Sequence, residues 1–178
     1  MDDAPGVGKS VAKHVAQAAM VAAAYAALTL ALAPISFGEQ QFRLSEALTV
    51  LPAFMPSAVP GLFVGCVISN LVSPMGPADL VLGSLATLLA AFLTRRAALA
   101  AAGARLPLAL RAFLAATPPV AVNALAIGAM LSLFMQMPFG VASLGVLVGQ
   151  AVSCYGLGAP LFLAYDRLSR KRARRGPP

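Results

Sequence analysis

An all-α, polytopic membrane protein with six transmembrane helices and both termini in the cytoplasm is what this 178-residue sequence predicts. Three observations lead there. Hydrophobic residues make up 60% of the chain against 11% charged, apolar runs recur along nearly its whole length, and basic residues gather at the edges of those runs. A soluble domain needs roughly a quarter of its residues charged, so a mean hydropathy of +0.84 with no Trp belongs to a chain whose solvent is lipid. The chain divides into a short cytoplasmic N-terminus (1–11), a membrane domain (12–168) and a basic cytoplasmic tail (169–178).

The first apolar run, residues 12–33, is closed by Pro34. It is too long for the apolar region of a signal peptide and lacks a convincing cleavage site, so it reads as a span that stays. The polar stretch "SFGEQQFRLSEAL" follows at 36–48. The next apolar region, 47–72, carries Pro52, Pro56 and Pro60, and prolines so close together favour a break over one continuous helix.

The positive-inside rule decides how often that region crosses. Lys9 and Lys13 place the N-terminus in the cytoplasm, Arg95, Arg96, Arg105 and Arg111 claim a middle loop for the same side, and "RLSRKRARR" claims the C-terminus. One crossing between 47 and 72 strands the Arg cluster outside, whereas two crossings place every basic cluster inside. Helices at 12–33, 44–55, 57–72, 78–95, 110–136 and 140–166 follow. The second and third fall short of the roughly 20 residues a helix needs to span. Thin, tilted or re-entrant helices of this kind line cavities, where their backbone groups find polar company.

The net charge of +7 and a pI near 10.3 raise the question of nucleic acid. No aromatic residues interleave the basic ones, which fit topology determinants and contacts to anionic headgroups of the lipid bilayer instead, so no nucleic-acid partner is expected. Cys66 and Cys154 lie in apolar runs without metal-ligand spacing, and His14 is the single histidine. A metal site, a histidine-based triad and enzymatic chemistry of that kind are therefore not expected. "GVGKS" at 6–10 resembles the end of a phosphate loop, but Asp3 stands where the first glycine belongs and no strand precedes it. No cofactor is expected on this chain, and ATP-driven pumping requires a partner.

Ionisable groups near membrane depth cost a few kcal/mol or more and mark functional or pairing roles. Arg43 and Glu46 are spaced i, i+3 and share a helix face. They make either a mutual salt bridge at the interface or a carboxylate presented to an extracellular ligand. Asn70 and Asp79 lie at the same outer level, Asn123 in the outer half of the fifth helix, and Gln150 and Tyr155 further into the sixth. The convergence suggests a pocket open to the outside, with Asp79 read as an N-cap. Small-residue pairs, among them Ala12/Ala16, Ala18/Ala22, Ala19/Ala23, Ala23/Ala27, Gly61/Gly65 and Gly145/Gly149, serve either internal packing or docking to another membrane subunit.

"LAPISFGEQQFRLSEALTVLP", "PGLFVGCVISNLVS" and "LVLGSLATLLAAFLTRR", with "PPVAVNALAIG" and "YGLGAPL" further on, resemble the QueT family over about residues 12–168. These are substrate-binding S-components of energy-coupling factor transporters for queuosine precursors. The resemblance implies a multi-pass protein of a prokaryotic cell membrane that joins a transmembrane coupling protein and two cytoplasmic ATPases, which bind the ATP. It also implies a small-molecule cargo, a 7-deazaguanine such as preQ1. One carboxylate can accept N1–H and the exocyclic amine of a guanine-like edge together, which makes Glu46 the first candidate contact. Gln41, Asn70 and Asn123 are candidates for the remaining donors and acceptors, and Phe37, Phe42 or Tyr155 for ring stacking. Arg43 is expected to hold Glu46 ionised, and Ala19 with Ala23 is the candidate pair for docking the coupling protein. An S-component for other cargo and a non-transporting membrane scaffold are the alternatives.

Overall fold

A computed structural model describes residues 5–37 and 42–175, which are helical almost throughout and contain no strand among the described residues. Prolines and local turns set most boundaries. Helix α1 (Pro5–Ala31) ends just before Pro34, which sits in the first turn of the four-residue α2 (Ala33–Ser36). A 3-10 segment, Leu44–Ala53, carries Pro52 in its last turn. Helix α3 (Ala58–Asn70) places Pro60 in its own first turn, where a missing N–H costs nothing.

A π-helical turn, Asp79–Gly83, runs directly into α4 (Ser84–Gly103). Pro107 precedes α5 (Leu108–Met135), which ends at Gln136 in the left-handed conformation (φ 56°). Pro138 precedes α6 (Phe139–Ala151), and a second π segment, Val152–Gly158, carries the chain into α7 (Ala159–Arg175).

Among the described residues, four helices are long and apolar enough to cross a membrane: Ser10–Ala31, Asp79–Gly103, Leu108–Met135 and Phe139–Lys171. Leu44–Ala53 and Ala58–Asn70 are shorter apolar helices at the two places where the sequence predicts short ones. The fourth predicted helix was expected to stop at 95. It continues to Gly103, because the Ala-rich stretch after Arg96 holds no breaker before that glycine. Arg95 therefore lies within a helix, where it donates to the Pro52 carbonyl at 3.0 Å.

Burial differs from that of a water-soluble bundle in its outer faces and in how many polar groups join the apolar core built around Leu62, Met130, Leu131 and Phe162. Leu85, Leu89, Phe92, Leu125, Leu133 and Leu144 are exposed on outer faces, while Thr29, Arg43, Ser45, Glu46, Asn70, Asp79, Asn123 and Gln150 are buried. Lipid tails solvate the former as well as a core does, so outward Leu and Phe carry no penalty and polar side chains can share the interior. Helix α1 packs most extensively on α3, α4 on α5, and α5 on α6.

Close approach of α1 and α3 depends on two glycines. A Cβ at Gly61 would stand 2.6 Å from the Ala18 carbonyl, and one at Gly65 2.7 Å from that of Ala22. The Gly61/Gly65 pair is thus committed to internal packing. Pro118 and Pro119 inside α5 withhold two backbone donors. One freed acceptor, the Ala115 carbonyl, takes the Thr94 hydroxyl from α4 at 3.1 Å.

Candidate functional site

The 3-10 segment Leu44–Ala53 sits at the centre of the bundle, touching α1, α3, α4, α5, α7 and the π segment Val152–Gly158. Its three-residue period aligns Glu46 with Thr49 and Pro52. Ser45, Glu46, Ala47, Thr49 and Val50 are all buried. A short, tightly wound helix flanked by Arg43 and Pro52 thereby carries a carboxylate into the interior.

Glu46 is 1% exposed. Its Oε1 accepts the Tyr25 hydroxyl from α1 at 2.6 Å, and its backbone carbonyl accepts the Thr49 hydroxyl. Oε2 is buried and has no protein donor. Asn123 on α5 is likewise buried, with its amide in range of the same carboxylate but not hydrogen-bonded to it. Cys154, from the π segment, lies 3.7 Å from the Glu46 carbonyl and 3.8 Å from Oε1 of Gln150. On the α1 side, Thr29 and Ser45 share a hydrogen bond of 2.6 Å. A carboxylate with one oxygen filled and the other bare is an acceptor prepared for N–H donors.

Next to it lies a second buried polar group. Arg43 has an extended backbone (φ −97°, ψ 105°) just outside the 3-10 segment, so its side chain does not continue the i, i+3 row of Glu46. Of the two readings of Arg43 and Glu46, the mutual salt bridge is not formed: Nη2 of Arg43 pairs instead with Oδ2 of Asp79, 2.8 Å apart. Ser73 donates to the same oxygen at 2.6 Å, and Nδ2 of Asn70 donates to the Asp79 backbone carbonyl at 2.9 Å. Nε of Arg43 also donates to the Ser36 carbonyl, and its guanidinium lies 5.2 Å from the Phe37 ring centroid.

Asp79 is consequently not the expected N-cap, since it makes no capping hydrogen bond and is fully buried. Gly83, one turn on, has no room for a side chain, because a Cβ there would meet Oδ1 of Asp79 and Nδ2 of Asn70.

Of the sequence candidates, Glu46 and Asn123 come together around one carboxylate. Arg43, Asn70 and Phe37 assemble around Asp79. Tyr155 faces the other way, stacked on Phe113 (4.9 Å between centroids, 9° between planes) and hydrogen-bonded to Thr117 at 3.1 Å. Gln41, like Glu39 and Gln40, lies outside the described residues. Ala19 and Ala23 are exposed on α1. Beside Ala19 runs a groove of about 520 Å³ between α1 and α3, lined by His14, Val15, Ala18, Ala22, Pro60 and Gly61 among others. Cys66 and Cys154 are free and buried.

Sequence reasoning missed Tyr25 as a site residue. The signal was present: a phenol in the middle of an apolar span needs a hydrogen-bond partner inside the protein.

A family model described as QueT transporter matches residues 15–167. The chain is also similar to the Queuosine precursor transporter QueT of Lactococcus lactis subsp. cremoris (strain MG1363), at 38% identity over 82 residues, which cover 45% of this chain and 48% of that protein. The match thus spans about half the length of the curated relative. No solved structure matches.

Proposed function

The chain belongs to the QueT transporter family, and from that premise we propose that it is the substrate-binding subunit of an energy-coupling factor importer for a queuosine precursor. Its cargo in this reading is preQ1 or a related 7-deazaguanine, captured from outside and released inside. The observation that carries the reading is the buried Glu46 carboxylate, with Tyr25 on one oxygen and no donor on the other. A guanine-like edge brings two adjacent N–H donors, one for the bare Oε2 and one for the lone pair that Tyr25 leaves free on Oε1. Asn123 adds a neutral amide beside it.

The Leu44–Ala53 and Ala58–Asn70 helices each cross once in this proposal, giving six spans with both termini cytoplasmic. The chain carries no catalytic role, and ATP is hydrolysed by two partner subunits. A transmembrane coupling protein docks on the outer face of α1 at Ala19 and Ala23, and both the exposure of these residues and the adjoining apolar groove support that placement.

Uptake of labelled preQ1 by cells lacking this gene tests the proposal. Restoring the chain together with the coupling and ATPase subunits is expected to restore uptake, and Glu46→Ala is expected to abolish it. Uptake that persists with Glu46→Ala contradicts the assignment of the site.

A further inference from the structure

Tyr25 is fully buried, and its hydroxyl meets Oε1 of Glu46 at 2.6 Å. Its Cβ stands 2.9 Å from the place a Cβ on Gly65 would take, so the side chain is rooted in the tight contact between α1 and α3. The phenol therefore has little freedom to move, and the oxygen it holds is fixed with it. Thr49, bonded to the Glu46 carbonyl from one turn on, holds the backbone of the same residue. A free carboxylate rotates about its last bond at little cost. This one is clamped at Oε1 by the phenol, while Oε2 is buried without a hydrogen bond even though the Asn123 amide is in range.

We propose that Tyr25 is a positioning residue for cargo selection: by holding Oε1 it fixes the plane of the Glu46 carboxylate, so that a ligand with two adjacent N–H donors is preferred over one with a single donor. The inference rests on Glu46 as the ligand acceptor. A single-donor ligand can follow a rotating carboxylate, but a two-donor edge needs both oxygens in one plane at a set angle. Tyr25 acts through Glu46 without touching the cargo, and ring packing alone gives no such preference.

The probes are preQ1, which carries the amide N–H and the exocyclic amine side by side, and its analogue without that amine. Both are titrated into purified wild-type protein and Tyr25→Phe, which keeps the ring and removes only the hydroxyl. Wild type is expected to prefer preQ1, and Tyr25→Phe to lower the ratio of the two affinities by roughly tenfold, the equivalent of one hydrogen bond. Equal weakening of both ligands, with the ratio unchanged, overturns the proposal and leaves the functional reading standing. Absence of binding to either probe by wild type overturns both.

Glu46→Gln supplies a second test that does not rest on the affinity of Tyr25→Phe alone. With Tyr25 donating to the amide oxygen, the NH₂ group is turned toward the cargo and repels its donors. Adding Tyr25→Phe frees the amide to flip its oxygen inward. The double variant is therefore expected to bind preQ1 more tightly than Glu46→Gln alone, whereas weaker binding by the double variant contradicts the clamp.

Discussion

Asp79 and Arg43 pair with side chains 0% and 4% exposed. Removing one partner of such a pair leaves a bare charge in the interior, at a cost of about 3–5 kcal/mol. Asp79→Asn is accordingly expected to lower the thermal midpoint of the detergent-purified protein steeply. The double change Arg43→Met with Asp79→Leu is expected to recover much of that loss in the same assay. Gly83→Ala drives a methyl into Asp79 and Asn70 and is expected to cost about 1–3 kcal/mol. Glu46 was legible as a carboxylate at the start of an apolar run, because charge in such a place demands a reason. The partner of Arg43 was not legible, since 36 positions separate the two residues. The extended backbone at Arg43 carries its side chain away from the helical row that the i, i+3 spacing assumes.

Among elements, the α1–α3 contact and the α4–α5 contact make separate predictions. Gly65→Val places a branched side chain against the Ala22 carbonyl and Tyr25. It is expected to loosen the pair and, by shifting Tyr25, to weaken cargo binding as well as stability. Thr94→Val removes the hydroxyl that satisfies the Ala115 carbonyl and is expected to cost about 1 kcal/mol with binding unchanged; thermal shift and ligand titration on the same sample separate the two cases. Prolines made most element boundaries readable. The 3-10 winding of Leu44–Ala53 and the π turns at Asp79 and Val152 were not readable, since contacts from many helices at once decide such local rewinding. The Gly61/Gly65 spacing was readable as a packing motif, but the identity of its partner helix required the folded arrangement.

At the scale of the whole molecule, outward Leu and Phe with inward Thr, Asn, Asp and Glu are the arrangement that lipid imposes, and composition alone announced it. The proposed six crossings would place Lys13, Arg105, Arg111 and the basic tail on one side. Single cysteines introduced at 13, 105 and 170, in a background with Cys66 and Cys154 replaced by Ser, are expected to resist a membrane-impermeant thiol reagent in intact cells. A cysteine at 74 is expected to react, and the reverse pattern contradicts the topology. In the proposed role, this chain captures its cargo alone. Isothermal titration of preQ1 into the purified chain, without ATP or partner subunits, is the most direct test of that role: one saturable site per chain is the predicted result, and no detectable heat of binding at any concentration up to millimolar contradicts it.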